Sequence, residues 1–137
     1  MDEIVVYTDG ACSGNPGMGA WAWIQVKENK VCAELSGFLG ETTNNVAELT
    51  AILSACSSFK DCILKVFTDS LNACNWLNGD WERRDSKIIH LCCEIERAVT
   101  INNIQLELNW VKGHSKNKFN DDVDELAVRC RKINSGL

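Results

Sequence analysis

A short motif near the start of the chain returns sixty residues later, and this near repeat constrains the fold more than any other feature. Residues 6–10 read Val-Tyr-Thr-Asp-Gly, and residues 66–70 read Val-Phe-Thr-Asp-Ser. Each copy is a hydrophobic run typical of a buried strand, and each run leads into an aspartate. If the two strands are parallel neighbours in register, Asp9 and Asp69 lie roughly 4.8 Å apart at the backbone.

Two carboxylates held this close repel each other, and a divalent cation is the simplest way to neutralise them. The spacing therefore indicates a metal site at the ends of the two strands. The alternative is that Thr-Asp-Gly and Thr-Asp-Ser only begin turns or cap helices, which aspartate commonly does. The near repeat alone does not decide between the two interpretations.

Length and composition are those of one globular domain. The chain has 137 residues, 45% of them hydrophobic and 24% charged, and we expect residues 1–137 to form a single domain. No apolar run reaches membrane-spanning length, so we expect no membrane association. Met1 leads into a strand without a basic region or an apolar leader, which predicts a cytoplasmic protein.

Eight cysteines invite a disulfide or zinc interpretation. However, no Cys-x-x-Cys pair occurs, the two histidines lie far apart in the sequence, and a cytosolic setting keeps thiols reduced. Most of the cysteines lie within apolar segments, so we predict reduced thiols that pack in the core. Cys12 is the exception, because it lies in a polar, glycine-rich loop.

Glycines and polar clusters divide the chain into elements in the order βββαβααβα. The predicted strands cover residues 4–9, 20–26, 31–40, 63–68 and 104–111, with a turn-rich loop at 10–19. The predicted helices begin near residues 45, 70, 86 and 120, the last after a polar loop at 112–120. An antiparallel meander followed by strands that alternate with helices predicts a mixed sheet covered by helices.

Two further acids occupy helix starts. Glu48 is predicted in the first turn of the helix that begins near Asn45, and Asp124 at the start of the last helix. A capping box or a favourable interaction with the helix dipole would explain Glu48. Capping would need only one or two of the four acids between residues 121 and 125.

Four motifs occur in one order from about residue 4 to residue 130. They are Tyr7-Thr8-Asp9-Gly10 with Gly14-Asn15-Pro16-Gly17, Thr43-Asn44-Asn45-Val46-Ala47-Glu48-Leu49, Thr68-Asp69-Ser70, and Trp110-Val111-Lys112-Gly113-His114 with Asn120 and Asp124-Glu125-Leu126-Ala127. In these motifs and in their spacing the chain resembles the type 1 ribonuclease H family, and the four motifs together are specific. The resemblance implies a ribonuclease H-like α/β fold: a five-stranded mixed sheet, three antiparallel and then two parallel strands, with helices on both faces.

The resemblance also implies a reaction, namely endonucleolytic cleavage of the RNA strand of RNA/DNA hybrids that leaves 5′-phosphate and 3′-hydroxyl ends. The metal ligands would be Asp9, Glu48, Asp69 and Asp124, holding two Mg²⁺ ions with substrate, or Mn²⁺ as a substitute. Two metals suit in-line hydrolysis because they serve the attacking water and the leaving oxygen. His114 matches a family histidine that shuttles protons or helps product leave; a solvated loop histidine is the alternative.

Recognition of a hybrid requires contacts to 2′-hydroxyls on one strand and to deoxyribose on the other. Thr43 matches a family residue that holds a DNA phosphate, and Trp81 is predicted to stack on a deoxyribose. Turn formation, capping and packing are the alternatives at these positions. The predicted substrate-binding residues are Gly10, Cys12, Ser13, Asn15, Thr43, Asn44, Asn45, Trp81 and Asn120.

The chain departs from many family members in lacking a long basic protrusion. Its segment 76–87 resembles the short version, and Leu71 stands where many relatives have a polar RNA-contacting residue. Without the protrusion, we expect weak, salt-sensitive hybrid binding by a monomer. The net charge of -5 says little about this, because two bound divalent metals would raise it to about -1. A catalytically silent hybrid-binding domain and a DNA-cutting nuclease of the same fold are the two alternatives.

Overall fold

The architecture follows the predicted order of elements. A computed structural model describes residues 1–113 and 116–136. Its strands and helices are β1 (Asp2–Cys12), β2 (Gly17–Lys27), β3 (Lys30–Thr42), α1 (Asn44–Ser58), β4 (Cys62–Thr68), α2 (Leu71–Leu77), α3 (Ser86–Ile101), β5 (Ile104–Trp110) and α4 (Lys118–Asn134). Within the described residues, no helix is long and apolar enough to cross a membrane.

The five strands form one mixed sheet in the order β3-β2-β1-β4-β5. β1, β2 and β3 are antiparallel neighbours, whereas β4 and β5 run parallel to β1. Thr8 pairs with Thr68, so the two copies of the near repeat are adjacent and in register, as predicted. The rings of Tyr7 and Phe67, one residue earlier in each copy, stack with centroids 4.9 Å apart.

Alternation along the strands sends side chains into two separate cores. Val6 and Val66 pack into the larger core, which α1 and α3 cover on one face of the sheet. Tyr7 and its neighbours pack into the smaller core, beneath Val123 and Ala127 of α4 on the opposite face. The predicted mixed sheet with helices on both faces is therefore confirmed.

Several boundaries differ from the prediction, most clearly those of the first loop and of the last helix. The loop predicted at residues 10–19 is shorter, because Gly10 pairs with Trp21 and Cys12 with Gly19, which extends both strands of the hairpin. The last helix begins at Lys118 and not after Asn120, because the Asn117 side chain caps it by accepting a 3.0 Å hydrogen bond from the backbone N–H of Asn120.

All eight cysteines are free in this structure. Four are buried in the core, namely Cys56, Cys62, Cys74 and Cys92. Cys32 and Cys93 are exposed, so Cys12 was wrongly singled out as the exception. Cys32 lies on the edge strand β3 and Cys93 on the outer side of α3, positions that a local apolar pattern does not distinguish from the core.

Candidate active site

The two aspartates of the near repeat meet at one edge of the sheet. Asp9 lies near the end of β1 and is only 3% exposed, and Asp69 follows β4 directly. Because side chains alternate along β1, Asp9 lies on the same face as Tyr7, the face covered by α4. The in-register pairing thus brings two carboxylates to the carboxyl ends of two parallel strands.

Glu48 reaches these aspartates from α1, and Gly10 makes its approach possible. A Cβ atom at Gly10 would lie 2.7 Å from Cβ of Ala47 and 2.8 Å from the backbone N of Glu48. Contacts this short would displace the helix. Only glycine lets α1 pack closely enough for the Glu48 side chain to reach the strand ends.

The predicted position of Glu48 in the first helical turn is wrong. The N-cap is Thr43, whose side-chain oxygen accepts a 3.3 Å hydrogen bond from the backbone N–H of Val46. That assignment places Glu48 in the second turn, where a carboxylate no longer takes part in a capping box. The capping interpretation of Glu48 therefore loses its geometric basis, and the carboxylate is directed toward Asp9 and Asp69.

Ligand atoms of Asp9, Glu48 and Asp69 all lie within 4.8 Å of one another. Asp124, in the second turn of α4, lines the same cavity of about 340 Å³. Asp121 lines the cavity too, although it was not predicted as a site residue; its spacing of three positions from Asp124 on one helix is the signal that would have found it. The other lining residues are Gly10, Asn44 and Asn120.

Burial and mutual repulsion oppose ionisation in this cluster. The pKa of Asp9 is raised, first by burial and then by the charge of Glu48. Burial also raises the pKa of Glu48, although hydrogen bonds from the Asp9 carboxyl and the Gly10 backbone partly offset the effect. In the absence of a cation, Asp9 and Glu48 therefore hold protons more tightly than ordinary carboxyls.

The donor set fits a hard divalent cation. Oε2 of Glu48 is buried and accepts no hydrogen bond within the described part of the chain, which is costly unless another partner is bound there. The three clustered ligands are all carboxylates, whereas zinc prefers histidine and cysteine. A metal held by Asp9, Glu48 and Asp69 would satisfy Oε2 and relieve the repulsion.

Strand β5 supports Asp69 through its last residues. Nε1 of Trp110 donates a 3.2 Å hydrogen bond to the Asp69 carbonyl, and the Val111 N–H donates to the Thr68 carbonyl at 2.8 Å. A Cβ atom at Gly113 would lie 3.2 Å from Oδ2 of Asp69, so a larger residue would crowd that carboxylate. Within residues 110–114 the sequence predicts a role for His114 alone, and His114 lies outside the described residues.

Several predicted substrate-binding residues surround a second cavity of about 420 Å³ beside the carboxylates. The Asn15 side chain crosses to α1 and accepts a 3.0 Å hydrogen bond from the backbone N–H of Asn44. Oδ1 of Asn45 accepts a hydrogen bond from Asn72 at 3.2 Å. The cavity lining includes Asn15, Thr43 and Asn45, together with Trp76 and Lys87.

The remaining predicted contacts are more scattered. Asn120 is 3% exposed and lines the carboxylate cavity. Cys12 is half-buried, and burial followed by the nearby Glu48 charge raises the pKa of its thiol. Ser13 is exposed, and its backbone N–H donates to the Met18 carbonyl at 2.9 Å. Trp81 is 46% exposed and meets Trp76 edge-on, with centroids 5.9 Å apart.

The chain is similar to known proteins over most of its length. The RNase H family model matches residues 1–132. Ribonuclease H from Chlorobium limicola is 39% identical, over 97% of this chain and 98% of that protein. Ribonuclease H from Caldicellulosiruptor saccharolyticus is 37% identical, over 93% and 94% of the two chains.

Solved structures share the fold. RNase H1 from Halobacterium salinarum superimposes with a TM-score of 0.81 at 25% identity, covering 93% of this chain and 96% of that one. LC11-RNase H1, solved in complex with an RNA/DNA hybrid, has a TM-score of 0.86 at 24% identity, covering 96% and 99%.

Proposed function

Since this chain belongs to the ribonuclease H family, we propose that it hydrolyses the RNA strand of RNA/DNA hybrids. The approach of Asp9, Glu48 and Asp69 to within 4.8 Å supports this function most directly. A catalytically silent domain would have no use for buried carboxylates that raise each other's pKa. The enzyme is a metal-dependent endonuclease.

In this proposal Asp9, Glu48, Asp69 and Asp124 would hold two Mg²⁺ ions with substrate, or Mn²⁺ as a substitute. When bound, the two ions would supply an activated water and stabilise the leaving 3′ oxygen, which would give 5′-phosphate and 3′-hydroxyl products. The chain contributes a fixed frame, because two ligands come from paired strands and two from helices on opposite faces of the sheet. His114 is assigned the shuttling of protons or the release of product.

The substrate would lie across both cavities. Gly10, Cys12 and Ser13 bracket the end of β1, where the RNA strand meets the carboxylates. The DNA strand would follow the second cavity, past Thr43 and toward Trp81. The full set of proposed contacts also includes Asn15, Asn44, Asn45 and Asn120.

Charge sets the expected affinity. Arg84 pairs with Glu82 in the segment where many relatives carry a basic protrusion, which leaves little positive potential there for phosphates. With few cationic groups there to contact phosphates, the chain should bind hybrids weakly. The monomeric state and the cytoplasmic location remain predictions, as does a single domain over residues 1–137.

A substrate panel tests the proposed function. Labelled RNA/DNA hybrid, double-stranded RNA, double-stranded DNA and each single strand are incubated with the protein and Mg²⁺, or with chelator. We expect cutting of RNA in the hybrid alone, and only with metal. Binding of the hybrid without cleavage would support the silent domain, and cleavage of DNA would support a DNA nuclease of the same fold.

A further inference from the structure

One arginine organises the short segment between α2 and α3. The Arg83 guanidinium donates two hydrogen bonds to the Trp76 carbonyl, from Nε at 3.2 Å and from Nη2 at 3.1 Å. It also forms a two-pronged ion pair with Glu96 of α3, with distances of 2.9 Å and 3.0 Å. Arginine suits this position because its planar fork binds the carboxylate and the carbonyl through two donors each, which the single nitrogen of lysine cannot do.

These bonds link three parts of the fold. Trp76 lies in the last turn of α2, where backbone carbonyls lack partners within the helix. The Trp76 carbonyl accepts a long hydrogen bond of 3.4 Å from the backbone N–H of Gly79, and Arg83 adds two shorter ones from beyond the helix end. Glu96 anchors Arg83 to α3. The segment from Asn78 to Asp85 is therefore held by the contacts of Arg83 with α2 and with α3, and not only by its covalent connections to these helices.

The fastened segment presents Trp81. The backbone N–H groups of Asp80 and Trp81 both donate to the Asn75 carbonyl, at 2.9 Å and 3.1 Å. The Trp81 ring rests edge-on against Trp76, whose carbonyl Arg83 holds, and 46% of Trp81 stays exposed. A large aromatic ring that is rigidly supported and half exposed is a stacking surface for a sugar or a base.

We propose that Arg83 is a positioning residue that holds Trp81 as a stacking surface for the DNA strand, and that it makes no phosphate contact itself. This inference rests on the proposed function. Only 21% of the Arg83 side chain is exposed, and its charge is matched by Glu96, so it has little to offer a phosphate. The segment thus recognises substrate by stacking, where a basic protrusion would use charge.

A double-mutant cycle on steady-state hybrid cleavage tests the proposal. We expect Arg83→Lys to raise KM about fivefold, with kcat changed less than about twofold, because the single nitrogen of lysine cannot reproduce the two-pronged contacts to both partners. Trp81→Ala should raise KM by about tenfold. In the Trp81→Ala protein, Arg83→Lys should have no further effect, since Arg83 acts only through the ring.

Glu96→Gln tests the same link independently, because it removes the negative charge that pairs with Arg83 and leaves Arg83 itself unchanged. We expect a smaller rise in KM than for Arg83→Lys, and no rise when the substitution is made in the Trp81→Ala protein. Glu3→Gln is the matched control, since it breaks the ion pair between Glu3 and Lys65 at the far end of the sheet. That control should leave KM unchanged.

Salt dependence separates positioning from phosphate contact. The slope of log KM against log salt should be the same for wild type and Arg83→Lys, and nearly the same for Arg83→Ala. A slope smaller by about one in Arg83→Ala would show a lost phosphate contact and overturn the proposal.

Additive effects of Arg83→Lys and Trp81→Ala, or an unchanged KM in Trp81→Ala, would also overturn it while the wild type still cuts hybrids. A wild type that cuts no hybrid would instead overturn the proposed function.

Discussion

The two ends of the β1–β4 strand pair differ in how their charged side chains are arranged. At the amino end, Glu3 on β1 forms a 3.4 Å ion pair with Lys65 on β4, and both side chains are partly exposed. At the carboxyl end of the same strands, Asp9 and Asp69 approach each other and Glu48 joins them. At the amino end an exposed acid is paired with a base, whereas at the carboxyl end like charges lie together and are mostly buried.

This contrast indicates that the carboxylates at the carboxyl end do not serve to stabilise the fold. An exposed ion pair contributes roughly 0–1 kcal/mol, so the amino end neither gains nor loses much. Buried carboxylates that raise each other's pKa oppose folding at neutral pH, unless a cation is bound. Substitutions that remove charge should therefore damage function at one end and have little effect at the other.

The largest expected effect is on catalysis. Asp69→Asn removes a ligand charge without changing the size of the side chain, and it should lower hybrid cleavage by about 10³-fold or more. The fold should be retained, as circular dichroism would show. Asp2→Asn, an exposed acid at the amino end of the same sheet, is the control and should cleave normally. Full activity of purified Asp69→Asn protein would refute the metal-site assignment.

A smaller loss is expected when the approach of α1 is obstructed. Gly10→Ala places a methyl group against Ala47 and the backbone of Glu48, so the helix and its carboxylate must move. We expect cleavage to fall about 10²-fold and the free energy of unfolding to drop by about 2 kcal/mol. Urea denaturation and initial rates measure the two effects. Wild-type cleavage by this variant would mean that Glu48 need not reach the strand ends.

The next effect concerns the chain's two histidines. His114→Ala should slow turnover by about tenfold to 10²-fold but leave measurable activity, because proton transfer assists the reaction without holding metal. His90, on the exposed side of α3, provides the control, and His90→Ala should be silent. Unchanged steady-state rates in His114→Ala would remove that residue from the mechanism.

The last effect is on stability alone, as pH changes. The pKa values of Asp9 and Glu48 are raised in the folded state, so above about pH 4 the folded protein keeps protons that the unfolded chain has lost. This contribution to stability is complete below about pH 4 and is lost as pH rises through the folded-state pKa values.

In chelator, the free energy of unfolding of wild type relative to Asp9→Asn should therefore fall by about 1–3 kcal/mol between about pH 4.5 and pH 8. Urea denaturation at the two pH values gives this difference directly. The Arg83–Glu96 pair, which lowers the pKa of Glu96, acts in the opposite direction but cancels because both proteins contain it. A constant or rising difference would contradict the raised pKa values.

The carboxyl end could be predicted from sequence largely because its chemistry follows strand register. A repeated Val-x-Thr-Asp run fixes both the pairing and the alternation, so placing Thr8 beside Thr68 also placed the two aspartates. Glu48 was recognised by its motif, but it was predicted in the wrong turn of the helix. Thr43 and Asn45 are both suitable N-cap residues, so the sequence does not show where the helix begins. Only the structure shows which one caps the helix.

Other features could not be predicted because no local pattern encodes them. Arg83 and Glu96 are thirteen residues apart and belong to different elements, so their pairing depends on how α3 packs beside α2. Asn117 caps α4 three residues before Asn120, and either asparagine would serve in sequence. Exposure of Cys32 likewise depends on β3 lying at the edge of the sheet.

Direct binding of Mg²⁺ in the absence of nucleic acid tests the central claim, that the carboxyl end is a cation site. Isothermal titration with wild type, Asp69→Asn and Glu3→Gln compares the two ends of the strand pair in one experiment. We predict saturable binding by wild type and Glu3→Gln, with thermal stability that rises with Mg²⁺ concentration, and neither effect in Asp69→Asn. Equal binding by wild type and Asp69→Asn, or no binding by either, would contradict the account.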